Sequence, residues 1–218
     1  PGHFRKITKG DDGALIAAGY TLGDDGKYDP LATRINANGK VEWINQLRDN
    51  GEQSYSGVQQ DADGNILLSA SSRGANFLEH TAIGGLDAYI VKLSSHGEVV
   101  DSTQVASSTN DWSTNIYIAN DGVIHLTGNT GWNSNLGGNN AIGYHEGFWS
   151  KFDSLLTRKS IDFIGTSNNE GIRGVAEIEG KFAFVGEEQP SYDGNTIGVV
   201  YIANGTEINK IAEIGEKS

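Results

Sequence analysis

The chain has 218 residues, a formal net charge of −12, no cysteine and 30 glycines. Such a length buries a sizeable core, and all-β domains of this size are often single domains. The acidic charge excludes the basic footprint that nucleic acid requires and argues against anionic membrane surfaces; the missing cysteines exclude a disulfide framework, a thiol nucleophile and a cysteine-based zinc site.

Glycine is about twice as common as usual, while proline occurs only three times. That balance points to many tight turns, not to a disordered linker. No apolar run approaches the roughly 20 residues that span a bilayer, so no membrane insertion is expected. Residues 1–20 show no charged start followed by an apolar block, so no secretory leader is read there.

Taken in order, the chain repeats one device four times. A tight turn at Asp12-Gly13, Asp63-Gly64, Asp121-Gly122 or Glu179-Gly180 leads into an apolar run that ends in small residues. The turn glycines stand 51, 58 and 58 residues apart, and a period of that size signals tandem structural units. The first unit reads as strands Phe4–Lys9, Ala14–Thr21, Leu31–Ile35 and Lys40–Leu47. The second reads as Gly57–Gln60, Asn65–Ser71, Ala88–Leu93 and Glu98–Val105. The third reads as Thr114–Ala119, Val123–Asn129, Gly147–Phe152 and Thr157–Ile164, and the fourth as Arg173–Ile178, Lys181–Glu187, Gly198–Ala203 and Glu207–Ile214. Six residues after each turn glycine stands a small residue, Gly19, Ala70, Gly128 or Gly186, which suits strands converging where space is short. An acid precedes a base by five residues in three of the third strands: Asp29 and Arg34, Asp87 and Lys92, Glu146 and Lys151. The fourth unit has Thr196 and Tyr201 in their place. Odd spacing puts the two side chains on opposite faces, so each is expected to pair with neighbours as a structural tie.

Four antiparallel strands per unit, in tandem and with no sustained helical period, predict an all-β β-propeller of four-stranded blades, with blades near 3–53, 54–111, 112–170 and 171–216. A solenoid is the alternative, though its repeats are usually shorter. The stretch Gly85-Leu86-Asp87-Ala88-Tyr89-Ile90-Val91-Lys92-Leu93-Ser94-Ser95-His96-Gly97 resembles the bacterial β-propeller repeat called SBBP. Asp61–Ile66 and Asp121–Gly128 resemble its other half. The resemblance spans all four units and is weakest in the fourth. It implies a propeller of bacterial extracellular or envelope proteins, and it carries no fixed catalytic residues. The units run in phase from first strand to fourth. They read as a compact four-bladed ring, as half of an eight-bladed ring completed by another copy, or as part of a longer array. The incomplete forms are favoured, because an arc leaves flanks that associate.

In a propeller the loops between second and third strands share a face with the links between blades, and the tight turns lie opposite. The long loops are Arg73–Leu86 and Gly131–His145. Loops on a rigid scaffold are the default place for function. The candidate ligand-binding residues are Phe77 and His80 in the second unit, the link residues Asp111 and Trp112, Trp132, Asn133, Tyr144 and His145 in the third, and Tyr192 in the fourth. Aromatic rings beside amides and carboxylates suit a sugar, with the ring on the apolar sugar face and the polar groups on hydroxyls. The competing reading of Trp112 and Trp132 is that they pack between blades. His145, Tyr144 and Glu146 are the candidate catalytic groups if the face hydrolyses or cleaves polysaccharide. No metal motif is read. Asp61, Asp63 and Asn65 resemble the start of a calcium loop, but Ser72 stands where the bidentate Glu belongs, and a turn explains them. The expected function is therefore a non-catalytic extracellular binding or scaffold module for glycan, matrix or cell-surface components, without cofactor. Enzymatic polysaccharide cleavage and a purely architectural unit are the alternatives, and self-association or further blades are the expected partners besides glycan.

Overall fold

The computed structural model describes residues 2–48, 51–74, 76–190, 195–205 and 207–215. They form four consecutive four-stranded antiparallel sheets and no helix. The first sheet is β1 (Gly2–Lys9), β2 (Leu15–Leu22), β3 (Tyr28–Ile35) and β4 (Val41–Gln46). The second is β5 (Glu52–Gln60), β6 (Ile66–Arg73), β7 (Leu86–Leu93) and β8 (Val99–Val105). The third joins β9 (Asp111–Ile118) and β10 (Ile124–Thr130) to β13 (Glu146–Phe152) and β14 (Arg158–Ile164). A small hairpin, β11 (Asn135–Leu136) and β12 (Asn139–Asn140), interrupts it. The fourth is β15 (Asn169–Ile178), β16 (Lys181–Gln189), β17 (Ile197–Asn204) and β18 (Glu207–Ile214). In each sheet the strands pair in chain order as a meander.

The turn glycines do what the repeat requires of them: Gly13, Gly64, Gly122 and Gly180 all have positive φ, which a side chain resists. The first strands begin earlier than the apolar pattern suggests. β5, β9 and β15 extend to Glu52, Asp111 and Asn169, because their leading halves are polar and the sequence reads as linker there. In the fourth sheet the ladder sets Ile197 and Ile202 opposite Glu188 and Ala183, the positions that Asp29 and Arg34 take opposite Thr21 and Ile16 in the first. The expected Thr196 and Tyr201 are thus displaced by one residue, and both members of the charged pair are replaced by isoleucine.

Sheets stack in sequence. β5 packs on β1, β2 and β3; β9 packs on β5, β6 and β7; β15 packs on β9, β10 and β13. Three core layers fill the junctions. Ile16, Ala18 and Ala32 meet Tyr55, Leu68 and Tyr89. Leu67 and Ile90 meet Ile116, Leu126 and Phe148. Trp149 meets Ile172, Phe184 and Tyr201. Among the described residues the array is open: the first and fourth sheets do not close on each other.

The same irregularity recurs in every sheet. Between first and second strands the register slips by one residue, leaving Arg5, Ser56, Thr114 and Arg173 unpaired. Such a bulge bends the strand and re-aims a side chain. The small residues Gly19, Ala70, Gly128 and Gly186 pair with the residue just before each bulge. A Cβ on Gly128 would sit 2.3 Å from the Trp112 carbonyl oxygen, and one on Gly186 would sit 2.1 Å from that of Gly171. Only the second sheet admits a methyl group, at Ala70.

The third-strand acids and bases act as ties. Arg34 is buried and binds Asp12 at 2.5 Å and Glu42 at 2.7 Å. Lys92 binds Asp61 at 3.2 Å, and Lys151 lies 3.9 Å from the Trp149 ring centroid. Asp12 and Asp61 belong to the repeat turns, so the bases fasten turn to sheet. Asp61 also accepts from the amides of Asp63 and Asn65. An ammonium and turn amides therefore occupy the carboxylate considered for calcium.

Two predictions follow from this packing. Gly128→Ala should lower stability by about 1–3 kcal/mol, the usual cost of overpacking, read as a drop in the denaturation midpoint. The second concerns His125, which is buried between the third and fourth sheets. Its Nδ1 accepts from Trp149 Nε1–H at 2.8 Å, and burial, reinforced by Lys151, lowers its pKa from 6.5 to about 4. The unfolded chain thus binds the extra proton first as pH falls, so stability present above pH 6.5 drains away between pH 6.5 and 4. The loss is at most about 3 kcal/mol. Urea midpoints across that window should fall in the wild type and less steeply in His125→Phe.

Candidate functional site

The link between the second and third sheets runs alongside the long loops. Leu86 bridges Asn110 and His145 bridges Asn169, both in parallel. Gly131 N–H donates to the Asn110 carbonyl at 2.8 Å, and Glu170 N–H donates to that of His145 at 2.9 Å. Loops and links therefore share one end of the array, as the repeat implied.

Buried carboxylates hold this end in shape. Asp87 accepts from the amides of Ile83 and Gly84, both at 2.8 Å, and from Gln104 Nε2 at 2.9 Å. Glu146 accepts from the amides of Ile142 and Gly143. Asp111 accepts from the amide and hydroxyl of Ser107 and from the Thr130 hydroxyl. Glu170 accepts from the amide and hydroxyl of Thr166. Each acid thus fixes the turn leading into its strand. Burial pushes the carboxyls of Asp111, Glu146 and Glu170 above the ordinary range.

Several candidates are displaced by these findings. Asp111 is fully buried and its oxygens are already used, so it is not a ligand-facing residue. Glu146 is likewise buried and committed to its own loop. Phe77 is a core residue, not a sugar platform: it packs edge-on against Tyr89 at 5.1 Å within the first core layer. A two-residue turn puts it there, since Phe77 and His80 exchange amide hydrogen bonds at 3.0 Å while Leu78 and Glu79 take positive φ. His80 Nε2 is bonded to Ser102 Oγ at 2.9 Å on β8, away from the clefts described below. Tyr192 lies outside the described residues.

The third-sheet candidates do come together. Trp132 and Tyr144 stack nearly parallel, 13° apart with centroids 6.1 Å apart, and both are exposed, at 60% and 54%. Tyr144 meets His145 edge-on at 5.4 Å, and His145 meets Trp112 at 5.7 Å. Asn133 stands exposed beside Trp132, with positive φ. The loop behind this row is not a bare Asn/Gly coil. Gly137 and Gly138, both at positive φ, turn the β11–β12 hairpin, and Leu136 anchors it in the second core layer.

Trp112 divides two clefts. One, of about 220 Å³, is lined by Arg5, Tyr20, Tyr28, Glu52, Ser56, Arg73 and Trp112. The other, of about 250 Å³, is lined by Trp112, Asn129, His145, Asn169, Glu170, Arg173, Glu187 and Gln189. The bulge residues Arg5, Ser56 and Arg173 point into them. Arg5 lies over the Tyr20 ring at 4.8 Å, Tyr20 packs against Tyr28 at 4.6 Å, and Arg173 is paired with Glu187. Sequence reasoning missed these residues because it read Arg5, Tyr20, Arg173 and Glu187 as ordinary strand positions and Ser56 as part of a link, and the bulges that re-aim Arg5, Ser56 and Arg173 leave no mark in composition. Among the described residues no group of three or more His, Asp or Glu could hold a metal ion.

No protein-family model and no curated protein matches the chain. Solved structures do. A protein of unknown function from Dyadobacter fermentans DSM 18053 is 11% identical with a TM-score of 0.64, over 96% of this chain and 69% of that one. A Hadza microbial sialidase, Hz136, is 10% identical with a TM-score of 0.61, over 94% of this chain but only 45% of its own. A putative exo-β-1,3-galactanase from Bifidobacterium bifidum s17 is 12% identical with a TM-score of 0.58, over 95% and 70%. At such identities the likeness is one of fold, and that fold is β-propeller-like.

The role of the buried acids can be tested directly. Asp111→Ala leaves the Ser107 amide and the Thr130 hydroxyl without their acceptor and should cost about 1–3 kcal/mol. It should also raise hydrogen exchange at Ser107, while circular dichroism keeps its β signature.

Proposed function

We propose that the chain is a non-catalytic extracellular module of a bacterial protein, built as a β-propeller segment of the SBBP repeat type, that binds glycan or glycan-bearing matrix and cell-surface components through its loop face. The observation that carries this reading is the aromatic row Trp132, Tyr144, His145 and Trp112 leading into the second cleft. Two exposed rings stacked almost parallel offer an apolar strip at the mouth. The cleft floor offers amides and charges at Asn169, Arg173, Glu187 and Gln189. That division, ring face for the apolar side of a pyranose and polar atoms for hydroxyls, is the chemistry of sugar recognition.

The folds of a sialidase and a galactanase support the same direction, since proteins of like architecture are named for acting on glycans. Fold alone does not carry activity. Polysaccharide cleavage has the weaker support, because the carboxylates adjacent in sequence to the aromatic row, Glu146 and Asp111, are spent on their own loops, and Glu187 in the cleft is paired with Arg173. An extracellular or envelope location fits the acidic composition, the repeat type and these glycan-acting fold relatives. No helix among the described residues is long and apolar enough to cross a membrane.

A glycan array probed with the wild-type chain should return polysaccharide or glycoprotein binding. Trp132→Ala and Tyr144→Ala should each weaken it by about tenfold, equivalent to 1.4 kcal/mol, without changing the denaturation midpoint, because both side chains are exposed. Wild-type silence across the array, or binding indifferent to both substitutions, removes the aromatic row from the function.

A further inference from the structure

The repeat specifies what each face of each sheet should meet, and two faces lack their partner. Register defines the equivalence: Phe4 opposite Gly19, Tyr55 opposite Ala70, Ser113 opposite Gly128 and Ile172 opposite Gly186 occupy one position. Ile7, Val58, Ile116 and Val175 occupy another. In the second, third and fourth sheets these positions face the preceding sheet and are buried, as are Ile66, Ile124 and their strand neighbours. In the first sheet they hold Phe4, Ile7 and Leu15, equally apolar, yet Phe4 is 56% and Ile7 64% exposed. A surface with this composition is written for burial against a sheet.

The complementary face belongs to the fourth sheet. The side of each sheet that receives the next carries Ile16 and Ala18 in the first, Leu67 and Ser69 in the second, and His125 and Thr127 in the third. The equivalents in the fourth are Ala183 and Val185, with Val200 and Ile202 beside them. Val185 is 50% exposed. Here the charged base of the other sheets has become Ile202, so this face is apolar where an internal face carries a cation. A further element matches. At the second and third junctions a polar side chain on the receiving sheet accepts from the amide of the next first strand: Ser71 from Ser113 at 3.1 Å, and Asn129 from Ile172 at 2.6 Å. The equivalent residue in the fourth sheet is Glu187, an acceptor, and the equivalent amide is that of Phe4.

We propose that a second copy of this chain covers both faces: the Phe4/Ile7/Leu15 face of one copy docks head to tail on the Val185/Val200/Ile202 face of the other, and two copies close an eight-sheet ring. The contact continues the three junctions inside the chain, with Glu187 of one copy set to accept from the Phe4 amide of the other. Such a contact joins two different faces, so it closes or polymerises according to the rotation per unit. Two copies give eight sheets, within the range of about 4–8 blades that propellers adopt; three would exceed it.

Sedimentation velocity and native mass spectrometry on the intact chain at about 50 µM, well above typical dimer dissociation constants, should give twice the chain mass. Ile7→Glu blocks one face and Val185→Glu the other, so each variant alone should run at the single mass. Mixed in equal amounts they should associate again, because one junction is then intact. Both side chains are exposed in the single chain, so circular dichroism should be unchanged; Phe4→Glu repeats the first arm if Ile7→Glu does not fold. A wild-type monomer overturns the proposal and assigns the covering sheet to another chain or to further repeats. An open-ended ladder of masses overturns the closed ring, and variants that fail to associate when mixed overturn the head-to-tail pairing.

Discussion

Everything in this molecule depends on how one sheet's first strand seats against the sheet before it. The seat has three parts that recur together: a bulge in the first strand, a residue no larger than alanine opposite it, and an apolar face that interdigitates with the neighbour. The bulge lets the strand bend where the sheets converge. The missing side chain at Gly19, Gly128 and Gly186 leaves room for the bulged first strand of the same sheet, whose His3, Trp112 and Gly171 carbonyls lie where a Cβ would collide. Because burial of apolar area is proportional to contact, about 25 cal/mol per Å², the interdigitated apolar faces turn four marginal meanders into one stack. A lone meander with one covered face would be far less stable.

The second constraint is electrostatic. A chain with net charge −12 must place its acids where they do not repel one another, and this one uses several as internal fasteners. Asp87, Asp111, Glu146 and Glu170 each collect amide or hydroxyl donors from the turn preceding their strand. Burial disfavours the charged form and hydrogen bonding favours it. At Asp111, Glu146 and Glu170 burial wins, as the upward direction of their pKa values records. The same arrangement commits Asp111 and Glu146, two of the sequence candidates, to their own loops. Residues that look catalytic in the sequence are the hinges on which the loops hang.

The fold was legible where backbone conformation is dictated by residue type. The turn glycines require positive φ, and the second and third strands are rich in apolar and small residues at fixed offsets from those turns, so both can be read directly. The leading halves of β5, β9 and β15 were not, because Glu52-Gln53-Ser54 or Asn169-Glu170-Gly171 has the composition of a linker although it pairs as strand. A one-residue bulge also breaks the alternation that would have betrayed them. Phe77 illustrates another limit. An aromatic in a long polar loop looks solvent-facing, and nothing in its neighbours announces that a turn with two non-glycine residues at positive φ, itself costing on the order of 1–3 kcal/mol per residue, folds it back into the core. The β11–β12 hairpin, by contrast, did leave a signal: Gly137-Gly138 between short flanks is a two-residue hairpin turn.

Of the candidate site, the legible part was the aromatic row and the illegible part was the cleft beneath it. Trp132, Tyr144 and His145 share one loop, so proximity in sequence anticipates proximity in space. Asn169 and Arg173 on β15 and Glu187 on β16 line the second cleft together, with the bulge re-aiming Arg173, while Arg5 lines the first cleft on the other side of Trp112. The exposed aromatic row belongs to the third sheet and not the second. Both have long loops, but Phe77 ties the second loop into the core, while the hairpin in the third is anchored at Leu136 and leaves Trp132 and Tyr144 outside. An exposed pair of stacked rings exposes apolar area to water. The fold tolerates that cost at a single loop end and buries Trp149, Phe148 and Phe152 elsewhere in the same sheet. The contrast within one sheet separates two kinds of aromatic, those that fill the junctions and those that the loop holds in water.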